Sequence, residues 1–335
     1  MEMVSRPHVK NFIEWSRDKP EVLVLTADLT NSCEVGLWRD TYPERFFAMG
    51  MAEQNMLGFA AGLAREGFAP FIHTFSVFIY RRAYDQLAMS IAYPNLPVRM
   101  LGFLPGIVTP GGVTHQAIDD VAILRATPNM TIFDTGDATD VESVLDVAHA
   151  VDGPVYVRML RGDMPRLFPK NEPMVFNRAR VLSQGEDVTI LTASVSTEEA
   201  LPAVAALKAK GVSINHLHVS TLKPFSDPAV LEAIHRSRHG VITMENHSII
   251  GGLGSAVAEL MAEHAVAKPL LRLGLNDTYA HGASLHYLMQ EYGLDATCLV
   301  KAVEKLLGVS LDIDARKLEA EETGETDDSE KVEAL

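Results

Sequence analysis

One carboxylate stands at the head of an otherwise small and apolar helical stretch. Glu53, in Phe46-Phe47-Ala48-Met49-Gly50-Met51-Ala52-Glu53-Gln54-Asn55-Met56, opens a pattern that runs from Ala52 to Ala64. An acid at that place is either a first-turn charge, gaining a few tenths to about 1 kcal/mol from the helix dipole, or a buried acid held to protonate something. The flanking Met49, Met51, Met56 and Phe59 suit the second role, because an apolar site raises a carboxyl pKa and keeps its proton available. Downstream come Phe75 and Phe78, in Thr74-Phe75-Ser76-Val77-Phe78. An aromatic just past a strand end can stack on a flat ring, worth about 0.5–1.5 kcal/mol beyond its buried area, although the same spacing also suits core residues. His115 follows in the Gly-rich Gly111-Gly112-Val113-Thr114-His115-Gln116. An imidazole there can stabilise a developing alkoxide or shuttle its proton.

These residues need elements to hold them. Apolar runs at 22–25, 69–73, 98–103, 130–133 and 155–159 read as strands, with helical patterns at 52–64, 78–92, 119–126 and 140–150 between them. Strands alternating with helices imply a parallel sheet covered on both faces, and ligands bind at the carboxyl edge of such sheets. The segment from Arg161 to Arg178 carries three prolines and reads as a linker. A second alternating block follows, with strands at 188–191, 214–219, 240–244 and 270–275 and helices at 197–210, 228–237, 254–264 and 296–307. The expected fold is therefore α/β with two doubly wound domains, 1–170 and 171–310, and an acidic disordered tail at 311–335.

The complete Gly50-Met51-Ala52-Glu53-Gln54-Asn55-Met56, the pair Phe75 and Phe78, Thr114-His115-Gln116 and Leu124-Arg125-Ala126-Thr127-Pro128-Asn129-Met130 together resemble the pyrimidine-binding domain of thiamine-diphosphate enzymes, transketolases most closely. The resemblance covers about residues 4 to 310 and corresponds to the second half of a full transketolase. It implies that Glu53 shares a proton with the pyrimidine ring nitrogen, that Phe75 stacks on that ring, and that Phe78 and Asp28 line the cofactor site. It further implies that His115 faces the reacting sugar carbonyl. Ser32, Arg6 and Arg161 would contact the sugar phosphate, with Arg158 an alternative to Arg161. Arginine suits phosphate because its planar fork bonds bidentately. Two positions depart from the family. Gly111 stands where an acid selects a sugar hydroxyl, and Phe103 where a histidine contacts phosphate. The donor expected is therefore a ketose phosphate other than an ordinary xylulose 5-phosphate, passing its two-carbon ketol unit to an aldose or aldose phosphate.

The family's metal and diphosphate signature, Gly-Asp-Gly followed by Asn, is missing: Gly136-Asp137 and Gly162-Asp163 continue with Ala138 and Met164. The expectation is one subunit of a split transketolase, inactive alone. An N-terminal, diphosphate-binding partner subunit would hold most of the thiamine diphosphate and its Mg²⁺, in an α₂β₂ assembly. Alternatives are an enzyme like 1-deoxyxylulose-5-phosphate synthase, one like the beta subunit of 2-oxoacid dehydrogenases, or a non-catalytic assembly subunit. Gly251-Gly252-Leu253-Gly254 lacks the full dinucleotide spacing and reads as a tight turn opening a helix, in a C-terminal domain that in the family mainly supports the dimer.

Bulk properties agree with such a chain. The 335 residues suggest two domains, and 47% apolar with 22% charged residues is a globular composition. A formal charge of −15 disfavours a nucleic-acid surface. From Leu311 onward ten acids face only Arg316, Lys317 and Lys331. No apolar run is long enough to span a membrane, no secretory pattern opens the chain, and Cys33 and Cys298 form no disulfide framework. A cytoplasmic location is expected.

Overall fold

The computed structural model describes residues 2–313; the acidic tail expected at 311–335 lies almost wholly outside the described residues. Fully buried apolar runs build the first sheet. Its seven strands lie in the order Thr221–Lys223, Thr131–Asp134, Val155–Met159, Arg99–Phe103, Ala69–Phe75, Val22–Thr26, Phe46–Ala48, and all pair in parallel except the first. Every residue of Val22–Thr26 and Ala69–Phe75 is buried, as expected of strands covered on both faces. The second sheet has five strands, Leu270–Leu275, Gly240–Ser248, Val188–Thr192, Ile214–His218 and Arg180–Ser183, with only the last antiparallel.

The helix expected at 52–64 spans Glu53–Arg65 and buries Met56, Leu57, Ala60, Ala61 and Ala64 against the sheet, an amphipathic spacing of one and four. Three expectations need correction. The continuous helix at 78–92 is instead a short helix, Ser76–Tyr80, an irregular turn, and a π-helical segment, Gln86–Ala92. The interruption lets two adjacent arginines diverge: Arg81 bonds the carbonyls of Val113 and Gln116, while Arg82 reaches Glu53. The supposed linker contains a strand, Asp163–Arg166, paired antiparallel with Glu2–Ser5. Its Pro165 is tolerated because the ribbon has only two strands. Finally, Thr221–Lys223 lies beyond residue 170 yet joins the first sheet, so the two blocks are stitched by backbone pairing.

Candidate active site

Five parallel strands deliver the site at their carboxyl ends. Val22–Thr26 leads to Asp28 and Ser32, Phe46–Ala48 to Glu53, Ala69–Phe75 to Phe75 and Phe78, Arg99–Phe103 to the His115 loop, and Val155–Met159 to Arg161. All seven residues line one cavity of about 710 Å³. Glu53 is 2% exposed at the head of its helix. The rings of Phe75 and Phe78 are stacked with centroids 5.9 Å apart. His115 meets both edge-on, at 6.1 and 5.7 Å, and its Nδ1 lies 2.9 Å from Thr114 Oγ1.

The apolar wall expected around Glu53 is only partly supplied by this chain. Met56 is fully buried, but Met51 is 81% and Phe59 40% exposed. Sequence reasoning also missed Arg82, which lines the cavity, lies over the Phe78 ring at 4.2 Å and approaches Glu53 Oε2 to 3.5 Å. Charge-assisted hydrogen bonds run at about 2.7–2.9 Å, so this pair is loose. Arg82 lies beyond the end of the helix Ser76–Tyr80, so no helical spacing tied it to Phe78 and the sequence carried no signal for it.

Arg6 does not reach this cavity. It lines an adjoining one of about 500 Å³ that shares Arg161. The Glu2–Ser5 ribbon brings the two arginines together, since the Arg6 N–H donates to Gly162 O at 3.2 Å. Arg161 Nη1 in turn donates to Ser32 O at 2.9 Å. The alternative, Arg158, is excluded from either cavity: it is buried, with Nε 2.9 Å from Asp120 and Nη1 2.6 Å from Asp134. Phe103 is also in the core, packed near the rings of His8 and His73 at 5.5 and 5.8 Å. Gly111 has a steric consequence, because a Cβ there would lie 3.0 Å from His115 Cγ.

The His115 loop is braced from the second sheet. Asn246 Nδ2 donates to Pro105 O at 3.0 Å, and its Oδ1 accepts from Ile107 N at 2.9 Å. Arg158 Nη2 reaches Asn246 O, and Ser248 N donates to Ile118 O. The Gly251–Gly254 turn opens the helix Leu253–Glu263, as expected. Glu245 accepts from Leu253 N and Gly254 N, so a carboxylate already fills the place a nucleotide phosphate would take.

The site's donor set fits an aminopyrimidine ring: a buried carboxyl for a ring nitrogen, a phenyl face for stacking, and an imidazole beside it. Among the described residues no three His, Cys, Asp or Glu side chains converge to hold a metal. No described helix is long and apolar enough to cross a membrane.

Residues 10–166 match the family model of the transketolase pyrimidine-binding domain, and residues 177–298 that of the transketolase C-terminal domain. A protein described as a transketolase C-terminal section from Methanocaldococcus jannaschii is 38% identical over 297 residues, 88% of this chain and 93% of the relative. A 6-deoxy-6-sulfo-D-fructose transketolase subunit from Clostridium sp. (strain MSTE9) is 37% identical over 300 residues, 89% and 92%. A 1-deoxy-D-xylulose-5-phosphate synthase from Chlorobium phaeovibrioides is 33% identical over 297 residues, but only 46% of it is spanned. A solved structure of a split gene transketolase, an inactive beta4 tetramer, is similar with a TM-score of 0.83 and 37% identity, over 90% of this chain and 97% of that one.

Proposed function

The chain belongs to the transketolase family, and we propose that it is the C-terminal subunit of a split transketolase. It moves a two-carbon ketol unit from a ketose to an aldose, in an active site completed by a partner chain. The observation that carries this reading is the convergence of Asp28, Ser32, Glu53, Phe75, Phe78, His115 and Arg161 on one cavity at the carboxyl edge of a parallel sheet. The chain passes from the first domain to the second near residue 170 and returns Thr221–Lys223 to the first sheet, and two copies of each subunit make the α₂β₂ enzyme.

Thiamine diphosphate, when bound, supplies a thiazolium carbon that becomes the nucleophile. This chain holds its pyrimidine. Glu53 keeps a proton at the ring nitrogen, Phe75 supplies a flat apolar face, Phe78 closes the pocket, and Asp28 lines it. His115, with Nδ1 tied to Thr114, presents Nε2 to the sugar carbonyl and moves its proton. Ser32 and Arg161 contact the sugar, and Arg6 stands farther out. The partner holds the diphosphate and Mg²⁺ and covers Met51 and Phe59, drying the site around Glu53. Reconstitution tests the reading: the chain alone gives no ketol transfer, and adding a subunit that carries Gly-Asp-Gly…Asn restores it. Turnover without a second polypeptide refutes it.

The identity to 1-deoxyxylulose-5-phosphate synthases favours a second reading, condensation of pyruvate with an aldehyde. Supplying the assembled complex with either a ketose or pyruvate as donor separates the two.

A further inference from the structure

The cavity that adjoins the active site is lined by Arg6 and Arg161, the two arginines expected to hold a phosphate, but also by Glu34, Asp163 and Glu198. Two guanidinium groups thus face three carboxyl groups. Of these, Glu34 counts most, because buried charges are screened far less than exposed ones. Its side chain is 4% exposed. Oε1 accepts from Gly162 N at 2.8 Å and lies 3.9 Å from Arg6 Nε, while Oε2 is buried with no hydrogen-bond partner. Glu34 also sits at φ 58°, a backbone conformation that a side chain disfavours and that glycine would occupy freely.

We propose that Glu34 makes this cavity a site for an uncharged, hydroxyl-bearing end of the sugar and turns away a phosphate dianion. The inference rests on the ketol-transfer reading and names its substrate class. A phosphate ester carries about −1.5 to −2 charge at neutral pH. Bound between Arg6 and Arg161, it would sit against the Glu34 carboxyl fixed in the wall by Gly162. Burial raises the pKa of that carboxyl, while the Gly162 N–H, Arg6 and Arg161 pull it back toward the ionised form. A sugar hydroxyl carries no negative charge and accepts from Arg161. Arg6, 67% exposed, offsets little of this repulsion because water screens it. Phe103 adds no phosphate contact, since it lies in the core.

Two measurements test this. Inorganic phosphate is titrated calorimetrically into the full chain at pH 8, where it is the dianion. Glu34→Gln, whose amide oxygen still accepts from Gly162, is expected to bind it at least tenfold more tightly than wild type. Equal affinities overturn the proposal, and so does the absence of binding by both proteins. In the assembled complex, D-xylulose and D-xylulose 5-phosphate are then compared as donors. Wild type is expected to favour the free sugar, and Glu34→Gln to move the kcat/KM ratio at least tenfold toward the ester, through KM. A uniform loss with both donors marks a merely structural residue and overturns the proposal. Should Glu34→Gln not fold, Asp163→Asn at the exposed rim is expected to shift both readouts less but in the same direction; no shift overturns it. Inactivity of the complex with both donors would count against ketol transfer while leaving the titration decisive for Glu34.

Discussion

Glu53, His115, Phe75 and Phe78 could be singled out from the sequence because they stand in local motifs, and the structure brings them to one cavity, whereas Arg82 and Glu34 could not be. Arg82 reaches Glu53 only because the chain breaks its helix between the two phenyl rings and the π segment. Glu34 matters only once a ribbon of two distant strands has set Arg6 beside Gly162. Gly111 was legible as a departure, but its effect needed coordinates: the missing Cβ is the space that the His115 ring uses. Gly111→Ala is therefore expected to push the imidazole aside by a few tenths of an ångström or more. Since misplacement of a reacting group by about 1 Å can cost about a hundredfold, kcat/KM of the assembled enzyme should fall by about tenfold or more. The melting temperature should change by only a few degrees, and wild-type kinetics for this variant would show that His115 is not held against Gly111.

Strands with apolar residues on both faces announced themselves, and the predicted runs at 22–25, 69–73 and 155–159 are strands within one or two residues. Asp163–Arg166 and Thr221–Lys223 did not, because their partners lie far along the chain and each is only three or four residues long. The same holds for the brace from Gly240–Ser248 onto the His115 loop. Asn246 there satisfies one carbonyl and one N–H of the loop, and each buried group left unpaired costs about 1–3 kcal/mol. Asn246→Ala should therefore lower kcat of the assembled enzyme while leaving its affinity for thiamine diphosphate within about twofold. Equal losses in both would mean that the strand supports the whole domain and has no particular hold on the loop. Arg81, which bonds Val113 O and Gln116 O on either side of His115 in the chain, is a second hold on that loop. Arg81→Gln is expected to act in the same sense, lowering kcat more than it raises KM.

Across the whole molecule, burial fixes the response to acid. It drives His8 and His216 down to about 3, His247 to about 4, and His73 well below its ordinary range. Unfolding returns each to about 6.5, so below that pH the unfolded chain takes up protons that the folded chain refuses. The stability these histidines contribute is intact above pH 6.5 and lost as pH falls toward 4, at up to about 1.4 kcal/mol per unit for each group. Glu245, pushed up to about 7 by burial, acts oppositely: its contribution is full below the carboxylate range and lost as pH rises through 7. Burial likewise raises Glu34, Asp134 and Asp137 and lowers His149, so five histidines stand against four acids. His8, His73, His216 and His247 are displaced far enough to lose stability across the whole interval from pH 6 to 4.5. The thermal midpoint should therefore drop between pH 6 and 4.5, whereas a constant midpoint would contradict this balance. Assembly is the other property of the whole molecule, and the proposed partner subunit is where it enters. It is also where the central claim is best tested, because the proposal has Glu53 act only once a partner has enclosed it. The decisive measurement is the ketol-transfer rate of the reconstituted complex carrying Glu53→Gln, with folding of the variant checked by its melting curve. The loss expected is about a hundredfold or more, the range in which acid–base groups contribute. A rate near that of wild type would mean that this carboxyl does not activate the cofactor.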